Sequence, residues 1–143
     1  MIEAAWERVN IYDGPDVFRE TLLAEPPYVR TLVCVQWCDS EVCNGGFDQF
    51  FFNGTGVLAP EAEAGFRTVG RPDLADLLQD AMAELGGHEY PRDRATRQAV
   101  LEAVSSERLE ELQERYFDVL EGGGEVLSLY DAMDKFAQEH RGP

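Results

Sequence analysis

This sequence predicts an all-α fold, a single-domain orthogonal array of about seven to nine helices, short ones included, over residues 1–143. Three observations carry the expectation. Apolar residues recur at helical spacing along the chain, and no segment shows a convincing strand alternation. Prolines sit where helices start: Pro15, Pro27, Pro60 and Pro72 suit a first turn, whose amide hydrogens lack intrahelical partners in any case. Glycines sit where helices stop, at Gly14, Gly45, Gly70, Gly86 and Gly122, because glycine adopts the left-handed conformation that satisfies the last carbonyls.

A first helix is expected over 3–12, broken by Asp13-Gly14-Pro15, and a second from Pro15 to about Ala24. The third runs from Pro27 to Cys43, where Tyr28, Leu32, Val35, Gln36, Asp39, Val42 and Cys43 follow the helical period. Asn44-Gly45 suits its C-cap. Gly46 then lets the chain turn into a short helix with Phe47, Phe50 and Phe51 on one face, closed by Asn53-Gly54, and Gly56 permits another positive φ. Further helices are expected from Ala59-Pro60 to Val69, from Pro72 to Leu85, from Ala95 to Val104, from Glu107 to Glu121 with a cap at Ser105 or Ser106, and over 125–140. No repeat, low-complexity tract or long linker divides the chain.

Charge narrows the function classes. Twenty-eight acidic residues against 12 basic ones give a net charge of −16, while an apolar content of 44% is that of an ordinary globular protein and argues against disorder. Such a charge repels phosphate backbones and anionic lipid, so direct binding to nucleic acid or membrane is not expected. It favours a basic partner. The acidic amino terminus is unlike a signal peptide, and no apolar run approaches the ~20 residues that span a bilayer, so a cytoplasmic location is expected. Cys34, Cys38 and Cys43 are odd in number and expected to be small buried thiols. A zinc site would need two further ligands, and neither His88 nor His140 is near in sequence, so no metal and no cofactor is expected.

The densest stretch lies between Trp37 and Gly56. Its core reads Asn44-Gly45-Gly46-Phe47-Asp48-Gln49-Phe50-Phe51-Phe52-Asn53. Trp37 through Asn53 resembles a bacterial family catalogued as a domain of unknown function, and the resemblance loosens after about Leu85. That family includes a DNA-mimic protein, an acidic protein that occupies the DNA site of a DNA-binding partner. The resemblance thus implies a fold and, more remotely, a function. The motif residues Trp37, Glu41, Asn44, Gly45, Gly46, Phe47, Gln49, Phe50 and Asn53 mark the fold, and no mimicry carboxylate is carried over from the motif. Read without the family, they form a core-building helical corner. The rival reading makes Asp39, Glu41, Asn44, Asp48, Gln49 and Asn53 a polar pocket for a ligand or a catalytic water. Asp39 and Glu41, two apart, point different ways on a helix and make a poor acid–base pair, so the balance leans against an enzyme.

The acids also form lines. At about 100° per residue, Glu107, Glu110, Glu111, Glu114, Asp118 and Glu121 fall within roughly 60° of one line, opposite Leu109, Leu112, Tyr116, Val119 and Leu120. Asp73, Asp76, Asp80 and Glu84 make a second stripe. The long stripe extends about 21 Å at 1.5 Å per residue, and the net charge equals that of roughly eight base pairs of duplex. Amphipathic helices of an acidic protein must expose acids somewhere, so a solvated surface is the plain alternative. The leading expectation is an acidic, non-enzymatic binding protein, a DNA mimic for a basic protein such as a helix-turn-helix transcription regulator, acting as monomer or homodimer. The alternatives are a small hydrolase or ligand-binding protein using the Asp39–Asn53 corner, and a dimeric adaptor or toxin-neutralising protein that binds through an apolar face.

Overall fold

The computed structural model describes residues 20–86, 89–104 and 106–141. The helix expected over 3–12, and the part of the second before residue 20, lie outside them. Residues 20–23 are helical. Six further α-helices and one 3₁₀ turn follow: α1 (Pro27–Phe52), the 3₁₀ turn (Gly54–Leu58), α2 (Ala59–Thr68), α3 (Pro72–Ala83), α4 (Arg94–Ala103), α5 (Ser106–Leu120) and α6 (Leu129–His140). The fold is all-α. Among the described residues the only β pairing is an isolated bridge between Gly123 and Val126.

Helix α1 is the axis of the structure. Its Val33, Val35, Cys38, Val42, Phe50 and Phe51 are completely buried, because α2, α4, α5, α6 and the 3₁₀ turn all pack on it. A helix apolar around most of its circumference has to be enclosed by others. The chain does not leave the helix at Cys43 as expected. It kinks at Gly45 (φ −150°, ψ 15°) and Gly46 (φ 81°, ψ −177°) and resumes on a new axis to Phe52. The positive φ therefore belongs to Gly46, one residue beyond the expected cap. Gly56 departs from expectation too, since it is not among the positive-φ glycines. Its reason is space: a Cβ there would lie 2.7 Å from the Phe50 carbonyl oxygen and 2.7 Å from Arg97 Nε.

The shorter helices follow the proline and cap logic. Pro60 and Pro72 open α2 and α3, and positive-φ Gly70 separates them. Asp93 caps α4 by accepting from the Thr96 amide, and Ser128 caps α6 by accepting from Asp131. The last helix starts at Leu129 rather than near residue 125, because Gly122, Gly123 and Gly124 all take positive φ and fold the chain into the bridged turn to Val126.

Two buried arginines do what the cap residues do elsewhere. Arg71 is 1% exposed and donates to the carbonyls of Val119, Leu120 and Leu127, as well as to both carboxylate oxygens of Asp73. It thereby serves the orphan acceptors at the C-terminal end of α5. Arg97 is fully buried and donates to the carbonyls of Phe51, Asn53, Pro91 and Arg92, closing the end of α1 onto the segment before α4.

Candidate functional site

The Asp39–Asn53 corner is built inward. Asp39, 1% exposed, accepts from the Tyr116 hydroxyl at 2.6 Å, the Tyr130 hydroxyl at 3.1 Å and the Cys43 thiol at 3.4 Å. These bonds tie α1 to α5 and α6. Glu41 turns the other way and accepts from Gln49 Nε2 at 2.6 Å, Asn53 Nδ2 at 3.0 Å and Thr55 Oγ1 at 3.2 Å. One carboxylate thus fastens the first part of α1 to the part beyond the kink and to the 3₁₀ turn. Phe47 packs edge-on against Tyr116 at 5.9 Å and stacks on Phe51 at 6.1 Å; Phe50 lies 5.7 Å from Phe51, and Trp37 packs against the core.

Asn44 and Asp48 are exposed, and partial burial raises the Asp48 carboxyl above its ordinary value. Of the six polar groups of the rival pocket reading, Glu41, Gln49 and Asn53 meet but are bonded to one another, Asp39 is bonded elsewhere, and Asn44 and Asp48 face solvent. Asp39 and Glu41 are engaged by different partners, and cavities of about 260 to 750 Å³ elsewhere on the molecule are lined by other residues. The polar side chains of the corner hold helices together.

Cys34 and Cys38 are buried as expected, but Cys43 is exposed, held to Asp39 through its thiol. Burial pushes the Cys34 thiol up to about 12 and Cys38 well above its usual value. Burial and the adjoining Asp39 carboxylate push Cys43 up to about 12. All three are thiols at neutral pH, and thiols are poor nucleophiles and ligands. Among the described residues no group of three or more His, Cys, Asp or Glu is arranged to hold a metal ion.

The acidic side chains are placed as a ridge and a paired flank. Glu107, Glu110, Glu111, Glu114 and Asp118 are all exposed along α5, and exposed Glu121 follows one residue past its end. Opposite them, Leu109, Leu112 and Tyr116 are buried. Only Glu111 is drawn into ion pairs on the ridge among the described residues, with Arg115 at 2.9 Å and Arg108 at 3.2 Å.

The second stripe is largely spoken for. Asp73 pairs with Arg71 at 2.9 Å, Asp76 with Arg67 at 2.9 Å and Glu84 with Arg108 at 3.5 Å, while Asp80 is exposed. Burial would raise the Asp73 carboxyl, but the Arg71 hydrogen bonds and charge outweigh it and hold it below its usual value. Because Arg108 touches both Glu84 and Glu111, the two stripes lie on adjoining helices, with a cation where they meet.

Sequence reasoning missed Arg71, Arg97, Tyr116, Tyr130 and Thr55 as organisers of the corner and ridge. The default place for arginine is the surface, and nothing in local spacing shows that a side chain will reach a carbonyl roughly fifty positions away. Tyr116 sat on the expected core face, yet its hydroxyl needed a buried acceptor, and Asp39 was the acid at a core-facing position of α1.

Fold and site together define an acidic all-α protein whose sequence signature is a structural corner and whose carboxylates project in a line from one helix, most of them outside the ion pairs among the described residues. The chain belongs to the DMP19-like protein family, whose model matches residues 24–140. The match extends well beyond Leu85, where the sequence resemblance had loosened, and takes in α5 and α6. No curated protein and no solved structure gives a significant match. Among the described residues, no helix is long and apolar enough to cross a membrane.

Proposed function

We propose that this protein is a non-enzymatic DNA mimic that binds a basic, DNA-binding protein through the α5 ridge. The carrying observation is that Glu107, Glu110, Glu114, Asp118 and Glu121 project into solvent from one helix line, outside the ion pairs that occupy the second stripe. Family membership supports the reading, since the family includes a DNA-mimic protein. So does the inward turn of the Asp39–Asn53 corner, whose two carboxylates are spent on hydrogen bonds within the fold.

The physics of such a surface is simple. A protein groove that receives phosphates presents Arg and Lys at the spacing of a charged rod, and a rigid helix of carboxylates meets it with little ordering cost. The one-turn repulsions along the ridge cost about 0.2–0.5 kcal/mol per pair, a burden that binding a cationic groove relieves. Arg71 and the Asp39–Tyr116 bond hold the helix at its C-terminal half, so the ridge is presented in a fixed direction.

Capture from a lysate of the source organism at low and at high salt tests the reading. A basic DNA-binding protein retained at low salt and released at high salt is the expected outcome. Retention that ignores salt would leave the acidity as a solubility feature.

A further inference from the structure

The two edges of the α5 ridge differ. Arg108 and Arg115 lie along one edge, where both pair with Glu111. The other edge reads Glu110, Glu114, Phe117 and Glu121, at spacings of four, three and four, which set each side chain beside the next on a helix. At about 100° per residue, Phe117 is turned about 160° or more away from both arginines. All four residues of this edge are exposed, and its three acids lie outside the ion pairs among the described residues.

A phenyl ring in that line is what acidity does not explain. Among the described residues the large exposed aromatic side chains are Phe52, Phe117 and Tyr130. Phe52 lies under the Arg94 guanidinium, 5.9 Å from its ring centre, and Tyr130 gives its hydroxyl to Asp39. Phe117, 40% exposed, meets Tyr116 edge to face with ring centres 6.1 Å apart, and no cation lies over it among the described residues. Glu114 stands one turn before it, Glu121 one turn after it, and Asp118 adjoins it.

We infer that Phe117 receives an arginine side chain of the basic partner, its guanidinium flat on the exposed ring and its N–H edge turned to Glu114 and Glu121; this rests on the proposed function above. A guanidinium is planar and weakly hydrated, stacks on aromatic faces, and donates from its edge to carboxylates in pairs. The ammonium of lysine is a compact, strongly hydrated point charge and gains less from a ring. Carboxylates alone would accept any polycation. A ring set among them distinguishes arginine from lysine, so Phe117 sets the specificity of the ridge. Phe52 and Arg94 show the same pairing already made within the chain.

Labelled oligo-arginine and oligo-lysine of equal length, read by fluorescence anisotropy on the intact chain at low salt, test this. The wild-type chain is expected to prefer oligo-arginine. Phe117→Leu keeps the apolar bulk and removes the ring, so it should weaken oligo-arginine binding about threefold, the scale of one exposed cation–π contact, and shrink the preference over oligo-lysine. Phe52→Leu should leave both affinities unchanged, because that ring already carries Arg94. Oligo-arginine should also shift the ring signals of Phe117 in the wild-type chain, and oligo-lysine far less; should Phe117→Leu fail to fold, these shifts decide alone. Equal oligo-arginine affinity in wild type and Phe117→Leu, an equal loss for both polycations, or unmoved ring signals overturns the Phe117 proposal and spares the charged ridge. If neither polycation binds at low salt, the ridge reading falls and the Phe117 proposal with it.

Discussion

Replacing Arg71 with Met removes five hydrogen bonds while roughly keeping the buried volume. Two of the five go to Asp73, whose side chain is 41% exposed and can recover water, so their loss is heavily screened. The Leu127 carbonyl belongs to an exposed residue and can also be rehydrated. That leaves the carbonyls of Val119 and Leu120, both half-buried at the end of α5. An acceptor stranded in this way costs about 1–3 kcal/mol, and half-burial puts each near the lower end, so Arg71→Met should destabilise by about 2–3 kcal/mol. For a domain of this length that is a fall of about 7–10 °C in Tm.

Asp73→Asn is the control, expected to cost under about 1 kcal/mol because the carbonyl bonds survive. The pH dependence has a definite sign. The Asp73 carboxyl is held below its ordinary 3.8, so its contribution is present above that value and is lost as pH falls through the folded pKa. The gap between wild type and Arg71→Met should narrow in that acid range. Thermal and urea unfolding followed by circular dichroism give all three numbers. A wild-type Tm in Arg71→Met, or an Asp73→Asn loss as large, would show that the arginine does not secure the end of the acidic helix.

Other expectations follow from the same contacts. Gly46→Val should cost well over 1 kcal/mol, since φ is +81° there; the Cβ would also meet Gln113 Oε1 at 2.1 Å, but that flexible end can move, so adding Gln113→Ala should recover little. A Gly46→Val chain that is fully stable by urea unfolding yet loses a ligand would move the argument toward the pocket. Burial, with the charges around Asp39, raises the Tyr116 hydroxyl well above its ordinary 10.0. Its stabilising effect is complete below that value and is lost as pH rises beyond it, so the urea midpoint should fall in the alkaline range, together with tyrosinate absorbance, and Tyr116→Phe should flatten that fall. Asp39→Ala should cost about 2–3 kcal/mol by stranding the buried Tyr116 hydroxyl and opening a small cavity, whereas Glu110→Gln, fully on the ridge, should leave unfolding unchanged or slightly favoured. Paired denaturation curves of the two variants check that contrast.

Helix positions and the α5 ridge were legible because they depend on local spacing. Pro27, Pro60 and Pro72 open their helices as their lack of an amide hydrogen dictates, and Glu107 through Asp118 face solvent because Leu109, Leu112 and Tyr116 must face the core. What escaped depends on contacts distant in sequence. The chain near Cys43 reads as a helix end, and only the packed structure shows α1 resuming after the Gly45–Gly46 kink, held across it by Glu41. Gly56 looked like a turn glycine, whereas its lack of a side chain is required by Arg97, an arginine that local patterning would place in solvent. The second acidic stripe looked equal to the first until Arg67, Arg71 and Arg108 were seen to reach it.

The central claim is that the α5 carboxylates take the place of DNA phosphates, and competition tests it most directly. With the basic protein captured at low salt bound to a labelled duplex, added wild-type chain should displace the duplex, and the effect should fade steeply as salt rises. The Glu110→Gln, Glu114→Gln, Asp118→Asn variant, folded as judged by its unfolding curve, should displace far less, chiefly through a slower on-rate. Undiminished displacement by the triple variant, or a ternary complex in which duplex and protein are held together, would contradict the account.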